Sequence, residues 1–200
     1  MKPGTRALGI AESTDEASGR CVFCGAVVRA DRTVDGVGFA TATVGGLDAT
    51  DAVCDVVDRT AREDVQYVLL SGVAPAWFNL VDLEAVVDAA DRPVCAVSYE
   101  DSPGLETALR EHFDGDARDA RLGVYEGLPP RREMEVNGEM VFVRSLGLDG
   151  DDAERVVRGF TPAGGRPEPL RVARLAARGA REWRARDDRE GDEDGEDRHG

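Results

Sequence analysis

Between Arg6 and Val44 three apolar, β-branched runs follow one another with no room for a helix, and nothing else in the chain restricts its fold as strongly. They are Arg6–Ile10, Cys21–Arg29 and Val34–Val44; a polar cluster from Glu12 to Arg20 parts the first two, and Gly45-Gly46 closes the third. Connections this short join antiparallel neighbours, because a parallel pair needs a crossover of about a dozen residues or more. After Gly46 the pattern changes. Thr50–Glu63 carries Val53, Val56, Val57 and Ala61 at helical spacing, Val65–Leu70 reads as a buried strand, Asn79–Ala90 as a helix and Pro93–Val97 as a further strand. Strands that alternate with helices pair in parallel through crossovers. The order predicts an α/β fold with a mixed sheet, three antiparallel strands followed by parallel ones, and flanking helices.

The rest of the chain is less regular. Pro103–Phe113 reads as a helix opened by Ser102, and Pro129-Pro130 breaks the chain. Val136–Val143 is expected to be a hairpin, since Asn137-Gly138 supplies the two left-handed residues of a type I′ turn. Asp149–Phe160 and Pro169–Arg186 read as helices. One domain is expected over residues 1–186, followed by an acidic, disordered tail over 187–200.

Composition narrows the setting. The 200 residues carry a formal charge of −15, and Lys2 is the only lysine. Hydrated carboxylates at this density suit molar salt, where the Debye length falls to roughly 3 Å and self-repulsion is screened. An acidic face that binds a partner is the alternative. Such acidity opposes a simple electrostatic grip on nucleic acid, which normally needs a basic patch. The opening Met1–Arg6 has no apolar h-region, and no run approaches the ~20 apolar residues of a membrane span. A cytoplasmic protein without a membrane partner is expected. Cys21-Val-Phe-Cys24 invites zinc, but Cys54 and Cys95 are remote, and strand residues three apart face opposite sides. Buried core cysteines are the expectation. His112 and His199 give no support to histidine-based acid–base catalysis.

Four stretches occur in a telling order: Leu8–Ser13 (LGIAES), Gly46–Asp51 (GLDATD), Trp77–Leu83 (WFNLVDL) and Arg166–Ala173 (RPEPLRVA). Over roughly residues 3 to 180 they resemble the mostly archaeal family related to endonuclease V, one branch of which is called endonuclease dU; this chain looks like a divergent, haloarchaeal-like member. The resemblance implies a ribonuclease-H-like fold in which carboxylates hold divalent cations, Mg²⁺ or Mn²⁺. It also implies cleavage of nucleic acid near a deaminated base, with the metals activating water for attack at phosphorus. At the positions that matter this chain departs from the family pattern. Ala11 stands where Gly-Ile-Asp would end, Ser71 where Asp precedes Gly72, Ser98 and Tyr99 where a basic residue is expected, and Arg174 in place of His or Asp. Cleavage is therefore expected to be weak or absent.

The surviving candidates divide into two sets. Asp48, Asp82 and Glu12 are the acids from which a displaced catalytic metal site could be built. Against that, Asp48 is placed to cap the helix near Thr50, Asp82 to sit on a first helical turn, and Glu12 to face away from Ala11. For nucleic acid, Trp77, Phe78 and Asn79 could stack on and read an extruded base. Arg171, Arg174, Arg178 and Arg181 share one face of the last helix, a stripe suited to phosphate or to pairing with an acidic surface. Val172, Leu175 and Trp183 on another face are expected to pack on the sheet. Glu168, between Pro167 and Pro169, reads as a rigid turn. The leading expectation is a nucleic-acid-binding relative of endonuclease V with little cleavage. An active Mg²⁺-dependent endonuclease using the displaced acids, and a protein scaffold recruiting partners through its acidic tail, are the alternatives.

Overall fold

The computed structural model describes residues 1–60 and 62–196, so Ala61 and residues 197–200, His199 among them, lie outside the described residues. Strands β1 (Arg6–Asp15), β2 (Arg20–Arg29) and β3 (Val34–Thr43) form the antiparallel meander, with Ile10 opposite Gly25 and Cys24 opposite Phe39. β4 (Val65–Ser71) runs parallel to β1, and β5 (Val94–Ser98) parallel to β4. The hairpin β6 (Arg132–Val136) and β7 (Glu139–Leu146) completes a seven-stranded sheet in the order β3-β2-β1-β4-β5-β7-β6. Its turn has φ of 53° at Asn137 and 83° at Gly138, the left-handed pair that Asn-Gly signals.

Helices α1 (Ala49–Thr60) and α3 (Leu83–Ala90) cover the face bearing Leu8, Ile10, Val68 and Leu70. The opposite face, with Ala7, Leu69, Cys95 and Val97, is covered by α6 (Gly150–Gly159) and α7 (Glu168–Glu196). Between β4 and α3 lies one short turn, α2 (Pro75–Phe78); α4 (Glu106–His112) and α5 (Gly115–Gly127) follow β5. Among the described residues no helix is long and apolar enough to cross a membrane.

Several elements differ from expectation for identifiable reasons. β1 runs on to Asp15, through residues expected to turn, because β2 pairs with it as far as Asp15–Arg20 and satisfies its backbone. The helix expected from Asn79 starts at Leu83: Asp82 caps it, its Oδ1 accepting from Glu84 N at 2.9 Å. Of the stretch expected to be disordered, residues 187–196 are helical, since extending a formed helix needs no new nucleus.

Helix α7 also sits in a different rotational phase from the one expected. Leu170, Ala173 and Ala177 are buried against the sheet, whereas Leu175 is exposed and Trp183 is 66% exposed. Small side chains let the helix approach closely, and a Cβ at Gly9 would overlap the Pro169 backbone. Gly9→Ala is expected to lower stability by about 1–3 kcal/mol. Gly123→Ala, whose Cβ meets nothing within 4 Å inside α5, is expected to raise it by about 0.5–1 kcal/mol. Thermal denaturation of both variants checks this, and equal melting temperatures would refute a tight seam.

Candidate nucleic-acid interface

Ile10 and Leu70 form the last paired rung of β1 and β4, which sets Ala11 and Ser71 one residue beyond it; Ser71 is level with Val97 of β5. This is the carboxyl edge of the parallel strands, where ligands of open α/β sheets gather. Ala11 packs with Ala26, Val28 and Ala173 and is part of the core. Ser71 and Ser98 instead face a cavity of about 410 Å³.

Four arginines line that cavity: Arg131, Arg144, Arg166 and Arg174. Arg131 donates to Ser102 O (2.7 Å), Ser102 Oγ (3.2 Å) and Glu100 O, and its guanidinium lies 3.8 Å over the Phe142 ring. Arg144 donates to Pro129 O and to Tyr125 Oη at 3.4 Å. Arg166 stacks 4.5 Å over Tyr99. Among the described residues none of the four has a carboxylate partner, although Glu100 lies exposed at the rim. In a chain of charge −15 four guanidinium groups gather here without an ion pair among the described residues, and the fields of Arg174 and Arg166 reach Glu12. Two buried donors here also lack partners, Tyr99 Oη and Arg131 Nε. Leaving such a group unsatisfied costs about 1–3 kcal/mol. Burial pushes the Tyr99 hydroxyl up to about 12 against the pull of Arg166 and Arg174, so it keeps its proton at neutral pH.

The arginine stripe of α7 is therefore divided. Arg171 pairs with Glu168 at 2.6 Å, Arg178 with Glu182 at 3.0 Å, and Arg181 donates to Thr14 O at 3.3 Å. Of the expected phosphate ligands Arg174 faces the cavity, with no ion pair among the described residues; nearby glutamates hold Arg171 and Arg178. Glu168, expected to be only part of a turn, is the partner of Arg171, whose side-chain hydrogen bond holds its carboxyl below the usual range.

The candidate acids do not converge. Both oxygens of Asp48 accept from Thr43 N (3.1 Å), and Oδ1 accepts from Asn79 Nδ2 (2.7 Å). Burial pushes this carboxyl up, but the bonds from Asn79 and Thr43 outweigh it and hold the group below its ordinary value. Asp48 does not cap α1 as expected; Asn79 Oδ1 does so, accepting from Ala49 N at 2.9 Å. Asp82 is occupied at the start of α3. Glu12 stands opposite Phe23, and burial raises its pKa despite a backbone hydrogen bond and the fields of Arg174 and Arg166. Mg²⁺ and Mn²⁺ ask for several ionised oxygens around one point. Among the described residues no group of three His, Cys, Asp or Glu is placed to hold a metal. The donor set present does not fit the implied cation. Zinc at Cys21 and Cys24 fits no better: both are buried, Cys21 within the apolar core and Cys24 donating to Gly25 O, and three residues apart on β2 they face opposite sides of the sheet.

Of the three residues expected to read a base, Asn79 is fully buried, its amide spent on Ala49, Asp48 and Thr43 O (2.8 Å). It is a structural bracket and cannot reach a base. Trp77, by contrast, is 54% exposed and Phe78 half-buried, in a cluster with His112 and Phe113 whose ring centroids lie 5.2–6.0 Å apart. Their backbone is unusual, with φ of 46°, 58° and 57° at Ala76, Trp77 and Phe78. Left-handed geometry costs a non-glycine residue about 1–2 kcal/mol. Gly45 N donates to Ala76 O at 2.7 Å, and Arg121 Nε to Phe78 O at 3.0 Å, which hold the turn and present Trp77 to solvent.

Residues 3–181 match the family model described as endonuclease dU. The chain belongs to that family. A UPF0215 protein of Pyrobaculum calidifontis is 36% identical over 184 residues, spanning 90% of this chain and 98% of the relative. The crystal structure of a protein of unknown function from Archaeoglobus fulgidus superposes with a TM-score of 0.75 at 28% identity, covering 88% of this chain and 97% of that one. Endonuclease V of Ciona intestinalis, solved with a DNA containing an inosine followed by a ribo-adenosine, superposes at 0.59 with 12% identity, over 89% and 86%. At that identity the likeness establishes the fold alone, a ribonuclease-H-like mixed sheet.

Within this family member, sequence reasoning found Arg174, Ser71 and Tyr99 as departures from the family pattern, and Arg166 only as the first residue of a stretch that carries the resemblance. It missed Arg131, Arg144 and Tyr125. The available signal was indirect: arginines without nearby acids in a chain crowded with carboxylates.

Proposed function

We propose that this chain is a nucleic-acid-binding member of the endonuclease dU family that has given up metal-dependent strand cleavage. The observation that carries this reading is an inversion of charge at the carboxyl edge of the sheet. Where the family pattern sets carboxylates, this chain has Ala11 and Ser71, and Arg131, Arg144, Arg166 and Arg174 gather in the cavity that Ser71 lines, without an ion pair among the described residues. Guanidinium groups draw phosphate oxygens in and repel a divalent cation from the same space. The exposure of Trp77, held outward beside Phe78, supports a role in stacking on an unpaired base, a contact worth about 1–3 kcal/mol. The relative from Ciona was solved with inosine-containing DNA, which makes strands with deaminated bases the first to try.

The test uses single strands containing uracil or inosine, with Mg²⁺ and with Mn²⁺, at low and at molar KCl. Binding without incision is the expected result. Four phosphate contacts to a single strand would make the logarithm of affinity fall with that of salt at a slope of about −3. Metal-dependent incision that disappears in Asp82→Asn would overturn the reading and restore a catalytic role to the displaced acids.

A further inference from the structure

We propose that the arginine cavity takes a terminal phosphate, a phosphomonoester carried by a nucleoside, either at a strand end or as a free nucleotide. The proposal deepens the nucleic-acid reading above and rests on it only for the strand-end source.

The arrangement of the cations separates an end from a continuous backbone. A stripe along one helix would follow successive phosphates, but Arg171 and Arg178 of that stripe are tied to Glu168 and Glu182. The four guanidinium groups, without an ion pair among the described residues, come from separate places in the fold: ahead of β6, within β7, ahead of α7 and on α7. They converge on one cavity. An internal phosphodiester brings one charge and two free oxygens and must leave the site in two directions. A monoester brings nearly two charges and three strong acceptor oxygens, and leaves in one.

Donors match the richer acceptor. Arg131 is fixed by its bonds to Ser102 and its stacking on Phe142, leaving buried Nε without a partner. Tyr99 Oη is the second unpartnered buried donor, on the ring that Arg166 covers. Pre-organised donors of this kind add affinity without an ordering cost at binding. The volume of about 410 Å³ exceeds what an inorganic anion fills and lies within the roughly 300–1,000 Å³ of small-molecule sites. Tyr125, which lines the same cavity, offers a ring to the sugar or base.

The experiment measures fluorescence anisotropy of the full chain with single-stranded oligonucleotides bearing a 5′-phosphate, a 3′-phosphate or hydroxyl ends. A nucleoside monophosphate, the nucleoside and inorganic phosphate serve as competitors. One phosphorylated end is expected to bind at least about tenfold more tightly than the hydroxyl end, as charge-assisted hydrogen bonds require. The nucleoside monophosphate competes and the nucleoside does not. Arg166→Gln and Arg174→Gln each erase the preference in a chain that still unfolds cooperatively, since among the described residues neither side chain has an ion-pair partner to lose, and loss of the Arg166 stack on Tyr99 leaves the core intact. Nucleotide binding without oligonucleotide binding would support the cavity assignment with a free nucleotide as ligand, and would sink the strand-binding function. Equal affinity for phosphorylated and hydroxyl ends would overturn the proposal while leaving that function standing. Competition by inorganic phosphate as strong as by the nucleotide would also overturn it, reducing the cavity to a general anion trap.

Discussion

Replacing Arg121 with alanine is expected to cost about 3–5 kcal/mol, because several buried acceptors lose their donor together and each orphan costs about 1–3 kcal/mol. Arg121 is 2% exposed, and four backbone carbonyls surround it, with no carboxylate partner among the described residues. It donates to Phe78 O (3.0 Å), Ala117 O (2.8 Å), Gly45 O (2.5 Å) and Gly46 O (2.9 Å), with its guanidinium 3.8 Å over the Phe113 ring. Burial lowers its pKa, yet an arginine side chain keeps its charge in proteins. The carbonyls therefore face a permanent cation whose loss orphans several acceptors at once. Lysine is not a substitute, because a compact ammonium cannot span sites spread across a planar fork. Since domains hold only about 5–15 kcal/mol in total, the alanine variant should show a much lower urea midpoint. It should also lose outward presentation of Trp77, because the Phe78 carbonyl anchors the left-handed turn. A free energy of unfolding within about 1 kcal/mol of wild type would show that the turn stands without this residue.

Asn79→Ala is expected to be nearly as damaging, at about 2–4 kcal/mol. Its amide joins three segments, accepting from Ala49 N and donating to Thr43 O and Asp48 Oδ1. Alanine would leave α1 without its cap, a carbonyl without a donor and a carboxylate without its shortest hydrogen bond. The pH dependence has a definite sign. The Asp48 carboxyl is held below its ordinary value in the folded chain, so its contribution exists above the unfolded pKa and fades as pH falls through the folded one. Without Asn79 that contribution shrinks. The variant and wild type should differ most near neutral pH and converge as the solution is acidified. Denaturant midpoints across that range check the prediction, and a gap that widens toward acid would contradict it.

Sequence carries the meander, the crossovers and the Asn137-Gly138 hairpin because each depends on residues close together in the chain. α5 was not legible for a physical reason. Its buried residues are Arg121 and Leu122, so its inward face carries a guanidinium and gives no apolar periodicity. The phase of α7 was misjudged because large side chains suggested the core, while the seam is made from Ala173, Ala177 and Gly9. At the candidate site, the replacements at Ala11 and Ser71 were visible in the motifs they interrupt. The cation cluster was not, since Arg131, Arg144, Arg166 and Arg174 meet only after the β6–β7 hairpin pairs with β5 and α7 docks.

The bracket built on Asn79 also bears on how the chain acquires its shape. Helix α1 takes its first cap from a side chain thirty positions downstream, beyond the whole of β4. The β1–β2–β3 hairpins close through local contacts and form early, whereas that cap requires a long loop to shut, an entropic toll levied before any reward. During synthesis the first crossover helix therefore gains this cap only after the Pro75–Asn79 segment has emerged.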